Sequence, residues 1–257
     1  MVGTLTSFQN LSRDIPAAIS QVAAQPFEAR EVEYFSKTIQ TIKSVEDFMA
    51  DRRVYAFAMQ AFGLGEMTYA KAFMEKVLTE GISDDESFAN SLSDPRYREF
   101  AKAFNFESFG SAATSFDRAQ GEVVDKYLRQ TLEEGQDNEG VRLALYFQRK
   151  APDVTSYLQI LAQPAIATVV RTALGIPEAT AALDLDKQVE ILSAKLDLAE
   201  FQSPEGIEKL LTKFTALYDI NNPQTTDAGG VGLLFGQSGA LGIDMNTMLQ
   251  IQQLRRS

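Results

Sequence analysis

The chain has 257 residues, 45% hydrophobic and 23% charged, with 35 acidic side chains against 24 basic ones for a formal charge of -11. That length can bury a sizeable core without staples, and the acidic balance disfavours nucleic acid as a partner, because such binding needs a basic footprint. Histidine and cysteine are both absent, which excludes the Ser-His-Asp triad, the Cys-His pair, disulfides and zinc sites built on those residues.

In chain order, Leu5, Phe8, Leu11, Ile15 and Ile19 make an amphipathic stripe before Pro26, so residues 1–26 read as an N-terminal amphipathic segment. It has neither the cationic start nor the long apolar run of a Sec signal. Residues 27–220 read as a helical body. Phe27, Val32, Phe35, Ile39 and Ile42 recur at helical spacing, and Ser44 with Asp47 predicts a capped helix running toward Gly63. Tyr69, Phe73, Val77 and Leu78 mark the next helix, stopped by Gly81. Ser83 and Glu86 have capping-box spacing before a short helix around Phe88 and Leu92. Ser93-Asp94-Pro95 opens a helix with Tyr97, Phe100 and Phe104, and a longer one around Phe116, Val123, Tyr127 and Leu132 reaches a polar break over 133–140. Val141, Leu143, Ala144, Leu145, Tyr146 and Phe147 are apolar nearly all round, which implies a central buried helix. No alternating run is long enough for a strand. The expected class is all-α.

The second half echoes the first. Phe48, Val54, Ala58, Ala61, Phe62, Gly63 and Leu64 match Ile160, Ile166, Val170, Ala173, Leu174, Gly175 and Ile176 at one constant offset. Leu78 corresponds to Leu192, and the Ser93-Asp94-Pro95 helix to one opened by Ser203-Pro204-Glu205 and ending near Phe214. The body therefore reads as internally duplicated helical-bundle repeats, about 44–106 and 153–219, packed across their middle. Residues 221–257 turn Gly-rich and read as a linker, followed by a short apolar helical face of Leu241, Met245, Met248, Ile251 and Leu254. Those five are the candidate partner-docking residues. Each terminal segment either folds back onto the body or docks a partner.

Candidate chemistry is thin. Gly236-Gln237-Ser238-Gly239 hints at a nucleophile elbow, but position 240 is Ala and no histidine exists to activate the serine. Gly229-Gly230-Val231-Gly232 follows no strand and lacks the Gly-Lys-Ser/Thr ending of a phosphate loop. Asp84-Asp85-Glu86 and Asp184-Leu185-Asp186 lack calcium-loop spacing and read as acidic helix starts. Arg52-Arg53 and Arg96-Tyr97-Arg98 read as solvated faces or ion-pair partners. The expectation is no enzyme, no metal and no cofactor, with no membrane span, since no run of 18 apolar residues exists.

Several stretches carry a family resemblance: Val45-Glu46-Asp47-Phe48-Met49-Ala50-Asp51-Arg52, Ala61-Phe62-Gly63-Leu64, Ser87-Phe88-Ala89-Asn90, Ser93-Asp94-Pro95-Arg96-Tyr97, residues 138–152 and Ala173-Leu174-Gly175-Ile176-Pro177. Over residues 27–220 they resemble an alphaproteobacterial family of unknown function, often encoded among flagellar genes near the basal-body rod. The resemblance implies a setting, flagellum assembly or its control, and a flagellar protein partner; the family has no established activity to carry over. The expected function is non-catalytic protein–protein contact, as an assembly factor or minor structural component. The alternative is a soluble regulator with a small-ligand pocket between the repeats. The expected location is the cytoplasm, with export to the flagellum or association with it as the variant the resemblance raises.

Overall fold

The computed structural model describes residues 3–222, and every regular element among them is helical. The all-α expectation holds. The candidate docking face Leu241, Met245, Met248, Ile251 and Leu254 and both glycine-rich motifs lie outside the described residues.

After α1 (Thr4–Ser12) and α2 (Ile15–Ala23), a first lobe runs through α3 (Pro26–Thr38), α4 (Val45–Ala50), α5 (Arg52–Ala61), α6 (Lys71–Glu80), α7 (Phe88–Ser91), α8 (Pro95–Phe104), α9 (Phe106–Phe109) and α10 (Gly121–Glu134). A second lobe holds α11 (Glu139–Lys150), α12 (Tyr157–Ala162), α13 (Pro164–Ala173), α14 (Leu185–Lys195) and α15 (Pro204–Asn221). Each lobe has its own core. Phe35, Phe48, Phe57, Phe100 and Phe104 dominate the first; Phe147, Ile160, Val169, Phe201 and Phe214 dominate the second.

Local chemistry sets the helix boundaries. Ser44 Oγ accepts from Asp47 N at 3.1 Å, as its spacing predicts. The helix does not continue to Gly63, however. The Asp51 carboxylate accepts from Arg53 N and Val54 N at 3.0 Å each, starting a second helix there. Sequence spacing also misplaces Ser83, whose hydroxyl donates to Glu107 at 2.6 Å; the N-cap of α7 is Ser87, and Glu80 Oε2 accepts from Phe88 N. Phe116 precedes α10, whose first residue is Gly121. Glu133 and Glu134 belong to α10, so the polar break starts two residues later than the residue types imply.

Corresponding boundaries recur in both lobes at the constant offset. Ser156 caps α12 as Ser44 caps α4, with Gln159 N donating at 3.3 Å. Gln163 separates α12 from α13 as Asp51 separates α4 from α5. Gly63 (φ 67°) and Gly175 (φ 60°) both take the left-handed conformation. Each allows a six-residue closing bond of 2.8 Å, Leu64 N to Met59 O and Ile176 N to Arg171 O. The match extends upstream: the Tyr34 hydroxyl donates to Asp51 at 2.8 Å, and the Tyr146 hydroxyl to Gln163 at 3.4 Å. At the far end, α15 lies along α13 as α10 lies along α5, so by its packing α15 answers to α10 and not, as its Ser-Pro start suggests, to the helix opened by Ser93-Asp94-Pro95. Tyr218 meets position 140 where Tyr127 meets position 28.

α11 is the central helix that its all-round apolarity predicts, touching α1, α10, α13 and α15. Its buried Val141 and Leu145 correspond to Ala29 and Glu33 on α3, both exposed.

The N-terminal helices fold back, one to each lobe: α2 against α3 and α10, α1 against α11 and α15. Phe8 enters the second core and Val22 the first. A polar clasp fixes the start of α1. Thr4 N donates to Asp219 Oδ2 at 2.9 Å, its hydroxyl also bonds Asp219, and Asn138 Nδ2 donates to Thr4 Oγ1 at 2.9 Å. Gly140 makes room for this contact; a Cβ there would stand 2.5 Å from Tyr218 Cδ1 and 2.8 Å from Thr4 Cγ2. Gly-to-Ala exchange inside an exposed helix gains about 1 kcal/mol. Gly140→Ala should instead lose about 1–3 kcal/mol by overpacking, read from urea unfolding, with faster amide exchange in α1.

Candidate docking groove

The lobes meet across a set of charges. Glu133 is only 3% exposed, and both of its oxygens are occupied: Arg149 donates through Nε at 2.7 Å and Nη2 at 2.6 Å, and Arg129 through Nε at 2.9 Å. Burial opposes the charge on Arg149, but its bonds to Glu133 outweigh that and hold its pKa above the usual arginine value. Lys150 Nζ reaches across to Glu99 at 2.9 Å. Arg96 pairs with Asp94 at 2.7 Å and donates to the Gly63 carbonyl. Burial disfavours the Asp94 carboxylate, yet hydrogen bonds and charge from Arg96, with Lys150 nearby, hold its pKa below the ordinary range. Arg53 bonds Glu31 at 2.8 Å. Among the basic residues singled out in sequence, Arg53 and Arg96 are therefore ion-pair partners.

Beside this junction lies a cleft of about 470 Å³, lined by Asp94 and Arg96 from the first lobe and by Tyr146, Lys150 and Gln163 from the second. The polar groups in it are largely engaged with one another. Asp84 is likewise used locally, accepting from Glu86 N at 2.9 Å. Among the described residues, no three His, Cys, Asp or Glu side chains converge to hold a metal, and no helix is long and apolar enough to cross a membrane.

The larger opening is a groove of about 800 Å³ between α1 and the first half of α15. Phe8, Phe201, Ile207 and Leu211 form its apolar floor, with half-buried Leu5 on the α1 wall. Gln9, Arg13, Gln202, Glu208 and Thr212 form an exposed polar rim. An apolar centre with a polar rim is the layout of a protein-binding surface. One atom on the α11 side is unmatched: Gln148 Oε1 is buried and meets no donor among the described residues. Sequence reading did not single out this groove. Its walls come from residues far apart in the chain, and Gln148 lies between Phe147 and Arg149 with no motif to set it apart.

Two buried phenols fix a pH expectation. Burial pushes the Tyr55 hydroxyl from its ordinary value of 10.0 up to about 12. Tyr127 is pushed up by burial first, then by its 2.6 Å hydrogen bond to Glu28. Both groups hold their protons more tightly folded than unfolded, so their contribution is complete below pH 10 and lost as pH climbs toward 12 and beyond. Ultraviolet titration should show two of the eight tyrosines ionising only as the chain unfolds in alkali. Ionisation of all eight together near the ordinary value would contradict this burial.

Two helical lobes bridged by a buried ion-pair set, with an open apolar groove on one of them, define the class of molecule. The chain belongs to the family described as "Protein of unknown function (DUF1217)", whose model matches residues 61–207. It is similar to a protein from Agrobacterium tumefaciens, an alphaproteobacterium, solved by X-ray crystallography. The two share 47% identity with a TM-score of 0.78, over 86% of this chain and 94% of that one. None of the curated proteins matches.

Proposed function

We propose that this protein works by binding another protein, without catalysis, in flagellum assembly or its control. The observation that carries the binding role is the α1–α15 groove, whose apolar floor and polar rim suit a segment of a partner. The flagellar setting rests on the family resemblance. A tagged full-length chain should co-purify with a flagellar component from cells that make it, and Thr212→Arg at the exposed rim should reduce that capture without changing thermal unfolding. Equal capture by both forms would remove the groove from the function; capture of no flagellar component would remove the setting.

The interlobe cleft supports a second reading, a small polar ligand held between Arg96, Lys150 and Tyr146. The internal engagement of those charges makes it the weaker one. The two lobes are read as copies of one ancestral unit. The shared capping serines, the paired left-handed glycines and the Tyr34–Asp51 and Tyr146–Gln163 bonds support that origin.

A further inference from the structure

We propose that the interlobe cleft binds a small organic acid in its ionised form, with the carboxylate seated at the start of α13 between the Ala165 amide and the Tyr146 hydroxyl. This rests on the second reading above, a small ligand in that cleft, and names the ligand's chemistry.

The first lobe contains the template. There Asp51 Oδ1 accepts from Arg53 N and Val54 N at 3.0 Å each, and its Oδ2 accepts from the Tyr34 hydroxyl at 2.8 Å. One carboxylate thus serves both the start of α5 and the phenol beside it. At the constant offset, Tyr146 stands for Tyr34, Ala165 for Arg53 and Gln163 for Asp51. The carboxylate is missing from this second set: no side chain caps α13, and Ala165 N meets no acceptor among the described residues. Gln163 does not replace it. Its Nε2 donates back to the Gln159 carbonyl at 3.3 Å, and its Oε1 stands 3.4 Å from the Tyr146 hydroxyl, longer than an ordinary O–H···O bond. These donors open on a cavity, because Tyr146, Gln163 and Ala165 are all half-buried and line the cleft. Its volume of about 470 Å³ suits a small molecule. Charge favours an anion: of the lining residues Arg96 and Lys150 are basic, and Asp94 alone is acidic and already paired with Arg96. The positive end of α13 adds to that field. A neutral amide where the first lobe has a carboxylate leaves both donors available to a carboxylate from solution.

The probe is sodium succinate, titrated at constant ionic strength into the isotope-labelled full-length protein, with the Ala165 amide followed by NMR. A saturable shift at Ala165 is expected. Tyr146→Phe, which removes only the hydroxyl, should weaken binding about tenfold, the loss of one hydrogen bond to a charged group. Gln163→Asp supplies the carboxylate from within, as Asp51 does, and should abolish the saturable shift while raising the thermal unfolding midpoint. Thr212→Arg, on the rim of the other groove, should leave the affinity unchanged. Thermal unfolding of each variant verifies the fold, and Tyr146→Phe decides alone if Gln163→Asp does not fold. No saturable shift at Ala165, or wild-type affinity in either cleft variant, would overturn the carboxylate site. Inorganic phosphate separates the two claims. A shift at Ala165 with phosphate but not succinate would keep the cleft as a ligand site and remove the carboxylate; a shift with neither would remove both.

Discussion

Gly206→Ala should be the most damaging single methyl in the second lobe, costing about 3 kcal/mol or more. A Cβ at Gly206 would lie 2.2 Å from the Glu200 carbonyl oxygen, 2.7 Å from its Cα and 2.8 Å from its carbonyl carbon. All three are backbone atoms, so no side chain can swing aside. Relief would require α15 to lift off the 3₁₀ turn Leu198–Gln202, which seats Phe201 in the core. Ile207 and Phe201 also floor the groove, so the same change should open it. Urea unfolding gives the stability loss, and an unchanged midpoint would mean that α15 does not pack so closely.

The second large effect is expected at the junction. Glu133→Ala should cost about 3–5 kcal/mol, because Arg129 and Arg149 would keep their charges in a largely buried site with no counter-ion. The exposed Lys37–Glu33 pair provides the contrast; breaking it should cost less than about 1 kcal/mol. Glu133→Gln should fall between, retaining the shape while giving up the charge. Loss of Glu133 should also let the lobes melt separately, since each has its own core. A single sharp thermal transition in Glu133→Ala would argue that the cores and the α1–α2 bridge hold the lobes together without this carboxylate.

The helical class and the paired stop glycines were legible because they rest on local chemistry. Gly63 and Gly175 take left-handed φ wherever the rest of the chain lies, and serine caps need only neighbouring N–H groups. Glu133 was not legible. It stands in an acidic, glycine-containing run that reads as solvated, and its partner Arg149 comes from the next helix. The break at Asp51 was hidden for a related reason: aspartate is tolerated inside a helix pattern, and only its two backbone bonds reveal the cap. The groove was hidden more deeply. Its walls are α1 and α15, which stand at opposite ends of the described chain, so no local motif announces it.

Site-specific photo-crosslinking from position 212 in living cells tests the central claim most directly. Thr212 is exposed on the groove rim, so a photoreactive residue there should capture one discrete partner, a flagellar component, while the same group at exposed Arg30 on α3 should not. The same faint background from both positions would contradict a docking role for the groove.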